Sequence, residues 1–232
     1  MAGATVRLAP WPADPRTAQL TVLPGEALPT TGVISDALDE VRAAGFRAVV
    51  TGALGEAERA PFAATGFVPR AWLYLLERSL YQVPAARPSG AALRRIRRSE
   101  WPAVAAVDAG AFAPFWRLGI DGIVDARRAT PSNRLRVAVS NDDTILGYAV
   151  FGRSGARGFV QRIAVHPVAH GQGIGTTLLV DGLRWLGDRG ALTALVNTQL
   201  DNERALQLYR HLGFRLLHER LAVLGRTLAG GP

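Results

Sequence analysis

The chain has 232 residues, 48% of them hydrophobic and 20% charged, so it can bury a core as one large domain or two small ones. It has no cysteine, which excludes disulfides, thiolate metal sites and a cysteine nucleophile. The formal charge of +8 comes from arginine alone, and the absence of lysine excludes a Walker-type phosphate loop. At the start, "MAGATVRLAPWPADP" lacks a basic segment followed by a sustained apolar run, and no apolar stretch elsewhere is long enough to cross a bilayer. The expectation is a cytoplasmic protein without a membrane partner.

In chain order, "LTVLP" predicts a strand. Ile34, Leu38 and Val41 predict a helix face closed by Gly45, and "FRAVV" predicts the next strand. "FAATGF" ends a second helix and "AWLYLLERSL" is strand-like, after which "VPAARPSGA" has the composition of a linker. The arginines of "LRRIRRSE" (Arg94, Arg95, Arg97, Arg98) alternate with Leu93 and Ile96 as on a solvated face; with no nucleic-acid-reading motif beside them, no nucleic acid is expected as partner. "FVQRIAVHP" predicts a buried strand stopped by Pro167, and "HGQGIG", His170 to Gly175, follows it. Leu179, Leu183 and Leu186 then form one face of a helix that Gly190 closes. Strand, glycine loop and helix in that order aim free N–H groups at the loop, and Gln172, Thr176 and Thr177 add donors, an arrangement suited to a diphosphate. The next strand, "ALTALVNTQ", ends in Asn197 and Gln199 where a Rossmann unit would place a ribose-binding acid. "DNERALQLYRHLGF" begins with Asp201 or Asn202 as helix N-cap, carries Ala205, Leu208 and Leu212 on one face, and stops at Gly213.

The pair formed by Q-x-G-x-G after a V-x-P strand end and N-x-x-A-x-x-L-Y-x-x-L-G-F resembles the GNAT superfamily of acetyl-CoA-dependent N-acetyltransferases. The resemblance covers Leu93 to about Leu228. It implies an α/β fold with a central mixed sheet flanked by helices, with "LRRI" as first strand and Ser99 as cap of the first helix. It also implies acetyl-CoA as cosubstrate and no metal. The pantetheine arm would pair with Ile163, Ala164 and Val165, and the pyrophosphate would lie over His170, Gly171, Gln172, Gly173, Ile174, Gly175 and Thr176, with Asn202 near the pantetheine. His170 stands where relatives commonly carry Arg or Gln.

By the same resemblance Tyr209 is the general acid for the departing thiolate and the Val165 N–H meets the oxyanion. A glutamate that often serves as base is replaced by Asn197, and Val160, Gln161 and Arg162 offer no carboxylate. The expectation is a water wire held by Asn197, with His218 and Glu219 as alternatives and His166 as structural. Phe115, Trp116 and Arg117 are expected to line the acceptor pocket, Phe112 to pack in the core. The acceptor would be an amine of a small molecule or of a protein N-terminus, and a homodimer is compatible with the reading. A non-catalytic acetyl-CoA sensor is the alternative.

The first third echoes this pattern, with Phe62 at the place of Tyr209 and "GEALPTTG" lacking the spaced glycines. The expected organisation is therefore tandem. Residues 1–82 form a degenerate, incomplete GNAT-like copy, 83–91 a linker and 92–232 the catalytic domain.

Overall fold

The computed structural model describes residues 6–22, 28–85 and 89–228. Its earlier elements are β1 (Val6–Trp11), β2 (Asp14–Val22), α1 (Thr31–Ala43), β3 (Ala48–Leu54), α2 (Glu56–Ala64), β4 (Val68–Ser79) and β5 (Ala92–Arg94). Then come α3 (Trp101–Ala111), α4 (Ile120–Arg128), β6 (Ser132–Val139), β7 (Ile145–Ser154) and β8 (Arg157–Val165). α5 (Ile174–Asp188), β9 (Thr193–Gln199), α6 (Glu203–His211) and β10 (Arg215–Thr227) complete the order. Residues 23–27 and 86–88, within the expected "LTVLP", "GEALPTTG" and linker segments, lie outside the described residues. The chain divides into two compact units. One is Met1–Leu75 with Thr198–Asp201 and Leu217–Pro232; the other is Leu76–Asn197 with Asn202–Leu216.

In the first unit β1 pairs antiparallel with β2, β2 parallel with β3, and β3 antiparallel with β10. α1 starts at Thr30, whose hydroxyl accepts the Val33 N–H at 3.4 Å. It buries Ile34, Ala37, Leu38 and Val41 against Ala18, Leu20, Val49, Phe62 and Leu224. The helical spacing of those residues in the sequence is thus the spacing of a core face. Phe62, fully buried, meets Phe67 edge-on with ring centroids 5.3 Å apart. β10 supplies two contacts that finish α2. The Glu219 carboxylate accepts the Glu56 N–H at 2.9 Å at its start, and Arg226 donates to the Thr65 carbonyl at its end.

The second unit holds an antiparallel run β5-β6-β7-β8 with β9 parallel to β8. Its core joins Val104, Val107 and Ile123 of the helices to Val137, Tyr148, Val150 and Ala164 of the sheet. α5 lies close on β7 because of Gly182: a Cβ there would stand 2.0 Å from the Phe151 ring. At the end of α6, Arg78 is 8% exposed and donates to the carbonyls of Leu212, Ser79 and Gln82, and burial lowers its pKa. Arg78 and Arg226 therefore do the same work, each closing the C-terminal end of the helix in its own unit.

Ser99 is not the cap of α3. It sits inside a 3₁₀ turn, Arg98–Glu100, because the Glu100 carboxylate accepts the Arg97 N–H at 2.7 Å and draws the turn in front of the helix. Arg94 pairs with Glu100 at 2.6 Å and with Asp143 at 2.8 Å, and Arg97 also bonds Asp143, so two arginines of the basic run are spent on carboxylates. Among the described residues no helix is long and apolar enough to cross a membrane. Replacing Phe62 by Ala is expected to destabilise the protein by about 3–5 kcal/mol, measured by urea unfolding, because the aromatic site is fully enclosed.

Candidate active site

β8 and β9 run parallel and pair only over Arg157–Phe159 and Thr193–Leu195. Beyond that point β8 stays with β7, helped by a bulge at Gln161, where Val160 faces Phe151 but Arg162 faces Val150. The two strands have parted, and one edge of β8 is free. Orientation along that edge follows from strand alternation: the His166 N–H donates to the carbonyl of Leu146, in β7, at 2.8 Å. The backbone N–H and C=O of Ile163 and Val165 therefore face away from β7, toward the opening, and those of Ala164 face β7.

The loop after β8 leads into α5 through two left-handed glycines, Gly171 (φ 78) and Gly173 (φ 76). A side chain at either would be strained. Gly173 is the N-cap of α5 and makes no side-chain capping bond, in contrast to Thr30 at the start of α1. The helix thus begins at Ile174 with backbone donors rather than a capping side chain. Gly175 allows close packing of a different kind: a Cβ there would lie 3.3 Å from Leu208 of α6 and 3.7 Å from Val165. Gln172 is exposed and its amide donates to the Val168 carbonyl at 3.4 Å, while Thr176 is half-buried in the first turn.

His170 binds the chain itself. Its Nε2 is 3.0 Å from the Val165 carbonyl, and its Nδ1 meets the guanidinium of Arg204 on α6. Arg204 thereby joins the loop side of the opening to the helix side, a residue that the sequence reading passed over because it stands on the polar face of α6. Asn202 caps α6, its side chain accepting the Ala205 N–H at 3.1 Å. Asn197 is exposed on β9. Tyr209 is 3% exposed and packs against Phe214 with centroids 5.6 Å apart, the counterpart of Phe62 against Phe67 in the other unit. Burial pushes its phenol well above the ordinary tyrosine range, and the charge of Arg162 opposes that rise.

A second cluster was not foreseen. Asp108, on α3, is completely buried and accepts four hydrogen bonds. Two come from Arg162 Nε and Nη2 at 2.7 and 2.8 Å, one from the Tyr148 hydroxyl at 2.5 Å and one from the Leu118 N–H at 2.6 Å. Burial and the neighbouring carboxylate push the Tyr148 phenol up, keeping it a donor. Arg162 Nη2 also donates to the Trp116 carbonyl at 2.6 Å, and its guanidinium lies 3.5 Å from the centre of the Phe112 ring. The signal in the sequence was a carboxylate on the otherwise apolar face Val104, Val107, Asp108, matched by an arginine inside an apolar strand. Around this cluster Phe115 stacks edge-on with Trp116 at 4.9 Å, and Arg117 Nε donates to the Phe112 carbonyl at 3.1 Å. Glu219, offered as an alternative base, lies in the first unit and is engaged by Glu56. His166 accepts the Val168 N–H at 3.4 Å as cap of a 3₁₀ turn. Among the described residues no group of three or more His, Asp or Glu side chains could hold a metal ion.

A protein-family profile described as the acetyltransferase (GNAT) family matches residues 91–214. A mycothiol acetyltransferase of Rhodococcus jostii (strain RHA1) is 38% identical over 91 residues, which are 37% of this chain and 30% of that protein. That of Renibacterium salmoninarum is 29% identical over 147 residues, 58% of this chain and 44% of the relative. The chain thus matches less than half the length of these relatives. Among solved structures, a tandem GNAT protein from the clavulanic acid biosynthesis pathway superposes with a TM-score of 0.69 at 17% identity, covering 99% of this chain and 80% of that one. A GCN5-related N-acetyltransferase from Sphaerobacter thermophilus gives 0.65 at 17%, covering 99% and 78%. At these identities the structural likeness is one of fold.

Asp108→Ala is expected to cost about 3–5 kcal/mol in urea unfolding, since it leaves Arg162 and Tyr148 buried without their acceptor. Asp108→Asn, which keeps an acceptor oxygen, should cost less.

Proposed function

Because the chain belongs to the GNAT family of acetyltransferases, we propose that it moves an acetyl group from acetyl-CoA to an amine of a small molecule or a protein N-terminus. The observation that carries this reading is the free edge of β8 beyond Phe159 leading directly into the start of α5, which has no capping side chain. An extended amide-bearing arm fits the edge at Ile163 and Val165. A diphosphate fits the glycine loop, where a side chain on Gly171 or Gly173 would be strained. Acetyl-CoA would supply the activated acetyl group as a thioester.

The chain's own residues would then do three things. The Val165 N–H, turned to the opening, donates to the carbonyl oxygen on which charge develops. Tyr209 holds the proton that the departing sulfur needs, and burial keeps that proton in place at neutral and mildly alkaline pH. Asn197 cannot accept a proton, so the amine must lose its own to water, which suits an acceptor with an α-amino pKa of about 8. Residues 1–82 are a degenerate copy, joined through 83–91 to the catalytic part, 92–232. The protein would work in the cytoplasm.

Calorimetry with acetyl-CoA, followed by CoA release with an amine panel, tests the reading. Tight binding without release from any amine would favour the sensor, a reading kept open by the lack of a carboxylate at Arg162 and Asn197. Gly173→Asp combines a strained left-handed residue with a negative charge at a helix N-terminus and should weaken acetyl-CoA binding by about tenfold or more, read by calorimetry. Tyr209→Phe should lower kcat by about a hundredfold or more with acetyl-CoA affinity unchanged. The pH profile gives an independent check. A raised phenol pKa leaves the acid protonated, so kcat/KM should climb as the amine deprotonates and show no downturn below about pH 10; a fall at pH 8 would contradict the role.

A further inference from the structure

We infer that Arg162 selects the acceptor, through a guanidinium arm that recognises an oxygen, carbonyl or carboxylate, borne on the carbon next to the reacting amine; the inference rests on the acetyltransferase reading. Arg162 follows the bulge on β8 and precedes Ile163, on the stretch where β8 has left β9. Three of its sides are fixed. Nε and Nη2 take both oxygens of the buried Asp108, Nη2 also takes the Trp116 carbonyl, and the flat face covers Phe112. Nη1 bonds no described residue. The side chain is 12% exposed, so it is nearly enclosed but open at one point.

Each neighbour belongs to a part of the site that must surround the acceptor. Phe112 and Trp116 belong to the segment between α3 and α4, and Val165 lies three residues along the same strand, on the stretch that has parted from β9. An amine attacking a carbonyl held at the Val165 N–H therefore approaches the stretch of β8 that carries Arg162.

The chemistry of the free arm narrows the ligand. A guanidinium nitrogen only donates, so its partner is an acceptor atom. The Asp108 carboxylate balances the charge, so an ammonium is not driven out as it would be by an isolated cation. The donor is already immobilised, so little rotamer freedom is lost when an oxygen binds to it. An amine carrying such an oxygen gains one charge-assisted hydrogen bond that a plain alkylamine lacks.

The test compares n-propylamine, alaninamide and alanine as acceptors for the full chain with acetyl-CoA, following CoA thiol release. Wild type should prefer at least one oxygen-bearing amine by about tenfold or more in kcat/KM, mainly through KM. Arg162→Lys keeps a cation for Asp108 but loses the fork and the spare arm, and the preference among the three amines should fall to within about threefold. The double variant Asp108→Asn/Arg162→Gln replaces the ion pair by a neutral pair and should show the same loss, which guards against misfolding of the single variant. Equal kcat/KM for the three amines in wild type, or a preference retained in both variants, overturns the inference and leaves the acetyltransferase reading standing. Preference for alanine over alaninamide identifies a carboxylate, the reverse a carbonyl, and either supports it. No release from any amine overturns both.

Discussion

Parallel strands normally hold one another through an unbroken ladder, and here the ladder between β8 and β9 stops at Phe159 and Leu195. The bulge at Gln161 keeps β8 in register with β7 as it departs, so the backbone groups of Ile163 and Val165 lose a strand partner without being buried. Everything assigned to the site follows from that separation. It opens an edge for an extended ligand and points the strand at the glycine loop. It also leaves room for α6, whose Leu208 packs beside Gly175 at the start of α5.

The glycine loop and α6 were legible because each is fixed by short-range chemistry. A left-handed backbone at Gly171 and Gly173 demands glycine, Asn202 caps its own helix, and Tyr209 belongs to a motif of fixed spacing. The apolar spacing of Ile34, Leu38 and Val41 showed its face for the same reason. What stayed hidden depends on residues far apart in the chain. Nothing local to Asp108 announces that Arg162, Tyr148 and Leu118 converge on it, and the role of Arg204 appears only when α6 is laid beside His170. Ser99 was misread for a nearer reason: serine is a good cap in general, but Glu100 is one residue further on and has two arginines to anchor it.

The two units share a local device and differ in what surrounds it. Phe62 with Phe67 and Tyr209 with Phe214 occupy matching places at the end of a helix and the start of a strand. In the first unit the ring is entirely enclosed and carries no hydroxyl, and the preceding helix, α1, is capped by Thr30. In the second the ring carries a phenol and the corresponding helix, α5, is left without a side-chain cap. The same scaffold thus encloses an apolar ring in one place and a phenol in the other, the change resting on a few polar atoms.

The paired arginines at the ends of α2 and α6 bear on what a cut in the chain would do. Arg78 precedes the segment between Tyr81 and Gly90 and closes α6, which follows it; Arg226 follows that segment and closes α2, which precedes it. Tyr81 is 91% exposed and within easy reach of a protease. A single nick there would yield two polypeptides on a denaturing gel, yet the fragments would travel together under native conditions, because each compact unit is woven from sequence on both sides of the break.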